Sequence, residues 1–148
     1  MKVVRIGKRH IDAAAKILFD AYYSSLARAK TDVRSWTERN QSFVAVENGK
    51  VVGVLMYTRD FSHYANYIED IAVAKVQRRK GIAKKLLQKF IDVSRKETPK
   101  KQKYALSSTE TSNKVSIKMH LNFGFSEIGR MKGQHFGKDE IFFAYNLR

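Results

Sequence analysis

Apolar residues recur along the chain at two spacings. Ile11, Ala14, Ala15, Leu18, Ala21 and Tyr22 follow helical intervals and predict a helix over residues 9–28. Ile82, Leu86, Phe90 and Val93 form a second stripe, which predicts a helix over residues 81–97 with Pro99 just past its end. A short helix is expected over residues 32–39, capped by Thr31 or Asp32, and another over residues 112–123, capped by Ser112 and stopped at Gly124. The remaining apolar runs are short and rich in β-branched and aromatic residues, and they predict strands at 3–6, 42–46, 51–57, 67–73, 104–107, 125–131 and 140–146. Asn48-Gly49 joins two of these as a tight hairpin, whereas residues 61–66 read as a turn or an irregular link. The order β-α-α-β-β-β-α-β-α-β-β predicts an α/β (α+β) fold, with helices on both faces of one mixed, twisted sheet of about six to seven strands. No repeat or linker interrupts it, so residues 1–148 are expected to be one domain.

Composition narrows the class. The chain is 43% hydrophobic, with one Pro and no Cys, which fits a globular protein without disulfides, thiolate metal sites or a cysteine nucleophile. No apolar run is long enough for a membrane span, and no signal peptide is read at the N-terminus, so a cytoplasmic protein with no membrane partner is expected. The formal charge of +15 is concentrated rather than spread. Residues 75–103 carry 12 basic and 2 acidic side chains, a local net of +10. That segment is either a solvated helix face or a surface for an anionic partner.

Its start favours an anion. Residues 67–73 run into Arg78-Arg79-Lys80-Gly81-Ile82-Ala83-Lys84, and the long helix opens there. The first N–H groups of a helix have no partner and sit at the positive end of its dipole, while Gly81 and Ala83 let backbone approach a phosphate closely. Arg78, Arg79, Lys80 and Lys84 add charge-assisted contacts. The Arg78-x-x-Gly81-x-Ala83 loop resembles the acyl-CoA pyrophosphate loop of the GNAT superfamily of N-acetyltransferases. A second segment, Asn113-x-x-Ser116-x-x-Met119-His120 leading to Gly124-Phe125, resembles that family's Asn-x-x-Ala-x-x-Leu-Tyr-x-x-x-Gly-Phe.

The resemblance implies acetyl-CoA as cosubstrate. It implies that the Arg78–Lys84 loop, the backbone of Ile71, Ala72 and Val73, and the Asn113 side chain hold it. It also implies direct transfer to an amine without an acyl-enzyme, with Glu69 as base by analogy with the polyamine acetyltransferase branch. On a strand Glu69 and Asp70 point to opposite faces, and Asp70 reads as structural. The alternative for Glu69 is a carboxylate paired within the sheet. His120 departs from the family's Tyr; it is a candidate acid for the leaving thiolate, a substrate ligand or a packed residue. His10, His63 and His135 are scattered without ligand spacing, so no metal is expected.

For the acceptor, a small-molecule or peptide amine is expected, because the Glu-Asp pair suits a cation. Tyr22, Tyr23 and Trp36, with Phe136, are candidate substrate contacts, each also a candidate for the core. The rival reading is a catalytically inactive domain of this shape that holds nucleic acid or an acidic partner through residues 75–103. No aromatic stacking pattern accompanies that run, so nucleic acid is not expected. The last strands are compatible with a homodimer.

Overall fold

The computed structural model describes all 148 residues. Strands β1 (Lys2–Arg5), β2 (Ser42–Glu47), β3 (Lys50–Ser62), β4 (Ala65–Val73), β5 (Tyr104–Glu110), β6 (Ser126–His135) and β7 (Lys138–Asn146) join one sheet in the order β1-β2-β3-β4-β5-β7-β6. The helices are α1 (Ile11–Ala21), α2 (Leu26–Glu38), α3 (Ile82–Glu97) and α4 (Lys114–Phe123). The β1–β2, β2–β3, β5–β7 and β6–β7 pairs are antiparallel, and the β4–β5 pair is parallel with Tyr67 opposite Leu106. The sheet is therefore mixed and has seven strands, as expected.

Two helix boundaries differ from the sequence pattern. The stripe over residues 9–28 breaks after Ala21, and α2 starts at Leu26 because the Ser25 side chain accepts the Arg28 N–H at 3.2 Å. Two aromatics and two serines (Tyr22 to Ser25) thus form the connection, and the second helix begins six residues before its expected start at 32. Similarly, residues 61–66 are not an irregular link. β3 and β4 run into them and turn at His63-Tyr64, both with positive φ (47° and 69°), as a two-residue hairpin of the Asn-Gly kind demands. Asn113 rather than Ser112 caps α4, accepting the Ser116 N–H at 3.1 Å.

The chain divides into two compact units, Met1–Thr58 with Glu69–Phe90, and Arg59–Ile68 with Ile91–Arg148. In the first, Ala14, Ala15 and Leu18 of α1 and Ala29 and Val33 of α2 are fully buried with Val44, Val54 and Met56 of the strands. The α3 stripe is buried as its spacing predicts, with Ile82, Leu86 and Phe90 at 0–2% exposure. Gly53 of β3 makes room for it: a Cβ there would lie 3.0 Å from both Ile82 Cγ2 and Leu86 Cδ1. In the second unit, Ile91, Ala105, Phe125, Ile141 and Phe143 form the interior.

Candidate active site

The loop between β4 and α3 is built as its residues suggest. A single turn over Lys75–Gln77 ends at Arg78, whose Nε donates back to Val73 O at 3.3 Å. Arg79 and Gly81 both take left-handed φ values, 65° and 76°. Only Gly does so without steric cost, and alternating hands of backbone turn successive N–H groups toward one point. Arg78, Arg79, Lys80 and Gly81 are all exposed, and α3 begins at the next residue. Lys80 Nζ rests on Gln77 Oε1 at 2.8 Å, and Lys84 is exposed one turn into the helix. A recess of about 190 Å³ adjoins the loop, lined by Ile17, Asp20 and Ala21 of α1 and by residues 73–76 and Arg78. Donors, cations and close backbone approach fit a diphosphate.

The two carboxylates of β4 take opposite faces. Glu69 is exposed and accepts a hydrogen bond from the Thr58 hydroxyl. Asp70 is partly buried and faces the α1–α2 connection. There the Tyr22 hydroxyl bonds Oδ1, and the Tyr23 hydroxyl lies 3.1 Å from Oδ2. Tyr23 is also 3.1 Å from Asp32 Oδ2 on α2, and Asp32 in turn accepts Arg28 Nε at 3.1 Å. Burial, only partly offset by the two phenols, pushes the Asp70 carboxyl up to about 6. The same burial and the nearby carboxylates raise both phenols above their usual range. Asp70, read from sequence as structural, is thus the centre of a polar cluster. The signal available was its parity with the apolar Ile68 and Ala72, which placed it on a packed face.

In the second unit, Asn113 and His120 share α4 with Ser116 between them. Asn113 Oδ1 is spent on the cap. His120 is 1% exposed, stacked on Phe143 with ring centroids 4.6 Å apart and edge-on to Phe125 at 5.2 Å. Its Nδ1 lies 2.8 Å from the Ser116 carbonyl, which can only accept, so that nitrogen carries the proton. Nε2 then accepts from Ser107 Oγ at 2.7 Å. Burial lowers the ring's pKa below 6.5, so the neutral form is the one held at pH 7.

The candidate substrate aromatics separate. Tyr22 is 54% exposed beside Asp70. Tyr23 and Trp36 are partly buried against the α1–α2 core, and Arg39 lies over the Trp36 ring at 4.8 Å. Phe136 stands at the tip of the β6–β7 hairpin, 99% exposed.

The sequence matches the Acetyltransferase (GNAT) family over residues 11–125. Among curated proteins none matches it. Among solved structures, a GNAT-family acetyltransferase from Bacillus cereus superposes with a TM-score of 0.84 at 22% identity, covering 98% of this chain and 96% of that one. A ribosomal-protein-alanine N-acetyltransferase from Brucella melitensis gives 0.80 at 23% identity, with 99% of each chain covered. The structure of yncA from Salmonella typhimurium with its cofactor acetyl-CoA gives 0.79 at 20% identity, covering 99% of this chain and 94% of that one. The family match carries the β4 strand, the basic loop and α4 together, and the chain belongs to the GNAT acetyltransferase family.

Proposed function

We propose that the chain transfers an acetyl group from acetyl-CoA to a primary amine of a small molecule or peptide, by direct attack and without an acyl-enzyme. The observation that carries this reading is the exposed cationic loop, with Arg79 and Gly81 in left-handed backbone at the start of α3. In it, Arg78, Arg79, Lys80 and Lys84 neutralise the diphosphate, while the backbone of Gly81, Ile82 and Ala83 donates to its oxygens. The backbone of Ile71, Ala72 and Val73 lines the acyl arm and polarises the thioester carbonyl. The family resemblance adds the Asn113 side chain to the residues that hold acetyl-CoA. The acetyl-CoA seen with yncA and the ribosomal-protein alanine in the name of the Brucella relative both suit this reading.

A primary ammonium with a pKa near 10.4 costs about 4.6 kcal/mol to deprotonate at pH 7, so a base must share the work. One of the two β4 carboxylates receives that proton, and Glu69 is the one to which the family resemblance points. For His120 the packed role is the reading its surroundings support. Both ring nitrogens are occupied, and donating Nδ1–H would break the contact with the Ser116 carbonyl. The departing thiolate takes up the second proton that the amine loses. A homodimer would use β6, the exposed last strand of the sheet.

Initial rates measured with acetyl-CoA and amine both varied test the direct route. Intersecting reciprocal plots are expected for attack within a ternary complex. Parallel lines would show a covalent acyl intermediate and overturn it.

A further inference from the structure

We propose that Asp70, coupled through Tyr23 to Asp32, is the group that takes the proton from the acceptor amine, a role that resemblance alone would give to Glu69. The inference rests on the acetyl-transfer reading and refines it.

The cluster holds fewer protons than contacts. Three oxygen–oxygen contacts hold the cluster: Tyr22 to Asp70 Oδ1, Tyr23 to Asp70 Oδ2, and Tyr23 to Asp32 Oδ2. Each phenol has one hydrogen, so only two protons serve three contacts. With both carboxylates ionised, one contact sets lone pair against lone pair. A third proton satisfies all of them. Asp32 is already paired with the Arg28 guanidinium at 3.1 Å, so the third proton is assigned to Asp70. Asp70 Oδ2 then donates to Tyr23, Tyr23 donates to Asp32, and Tyr22 donates to Asp70 Oδ1. When Asp70 is ionised, the Tyr23 hydroxyl turns from Asp32 to Asp70. The cluster therefore has two arrangements that differ by one proton and one hydroxyl rotation.

The surroundings suit a proton acceptor better than those of Glu69. Glu69 is exposed and has a single hydroxyl partner, Thr58. Asp70 is partly buried and has its affinity raised, with the value near 6 that a base working at neutral pH needs. The titratable and charged groups facing it are Tyr22 and Tyr23 after α1, Asp32 with its partner Arg28 on α2, and Glu69 on its own strand. Tyr22, whose hydroxyl covers Asp70 Oδ1, is itself 54% exposed.

The step balances. The ammonium gives one proton to the Asp70 carboxylate, and its freed lone pair forms the N–C bond. The C–S bond breaks and its electron pair leaves on sulfur. The nitrogen's second proton neutralises the thiolate, and Asp70 returns the first to solvent.

The test is the pH dependence of kcat/KM for the amine in the wild type, Asp70→Asn and Tyr23→Phe. Circular dichroism and acetyl-CoA calorimetry check that each variant is folded and loaded. The wild type is expected to lose activity as pH falls through about 6, where Asp70 fills with its proton. Asp70→Asn is expected to lose that limb and about 10²-fold in rate. Tyr23→Phe removes a donor whose hydrogen bond favours the ionised Asp70 carboxyl, so its limb moves to higher pH. If Asp70→Asn does not fold, Tyr23→Phe decides alone. An acidic limb unmoved in Tyr23→Phe, or retained in Asp70→Asn, would overturn the role of Asp70 and leave acetyl transfer standing. A wild type that acetylates no amine would overturn the transfer reading, and this one with it.

Discussion

His120 shows how much a single position can change role without changing place. Its spacing from Asn113 and Gly124 puts it where the family carries a tyrosine acid, yet a ring stacked 4.6 Å from Phe143 and bonded at both nitrogens belongs to the interior. His120→Ala should therefore cost about 3 kcal/mol of stability, from the cavity and from the stranded Ser107 hydroxyl, as measured by urea unfolding. Acetyl-CoA affinity, measured on the folded fraction, should be unchanged. A large fall in turnover at unchanged stability would instead restore the acid role. The Ser107 and Phe143 partners of His120 were not legible in the sequence, because they lie on β5 and β7, far along the chain from α4. Nor was the hairpin at His63-Tyr64, where two L-residues hold positive φ without the Asn-Gly signal that made Asn48-Gly49 readable.

At the scale of elements, α3 was the most legible because its apolar stripe, its opening glycine and Pro99 all agree. The α1–α2 break was the least legible. Tyr22 continues the α1 pattern, and only the Ser25 cap, acting on Arg28, reveals that a new helix starts. The polar cluster on Asp70 hangs from that break, which is why Asp70 read as structural. α3 also shows how packing reaches the loop. Because a Cβ on Gly53 would meet Ile82 and Leu86 at 3.0 Å, Gly53→Ala should push the first turns of α3 off the sheet. We expect a loss of about 1–3 kcal/mol in unfolding free energy. Weaker acetyl-CoA binding by calorimetry should accompany it, since the loop residues 78–81 lead directly into that helix. Unchanged affinity would separate the loop from the helix that follows it.

The whole molecule carries +15, and the segment of net +10 includes the proposed phosphate loop. Acetyl-CoA affinity should therefore fall as salt rises, and Arg78→Ala should flatten that dependence. Two groups shape stability against pH in opposite senses. The folded pKa of Asp70, about 6 against an ordinary 3.8, means that its contribution is fully present below 3.8 and lost as pH rises through 6. The folded pKa of His120 lies below 6.5, so the unfolded chain takes that proton first and stability falls as pH drops below 6.5. Asp70→Asn should thus gain stability relative to the wild type between pH 4 and pH 7.5, by at most about 3 kcal/mol, when unfolding is compared at both. No helix is long and apolar enough to cross a membrane.

The most direct test of acetyl transfer is acetyl-CoA-dependent thiol release across a panel of primary amines, including polyamines, aminoglycosides, amino acids and peptides with lysine or free N-termini. Thiol release should rise well above the amine-free rate with at least one of them, and the acetylated amine should appear in equal amount by mass spectrometry. A flat panel with no acetyl-CoA binding by calorimetry would contradict the account at its centre.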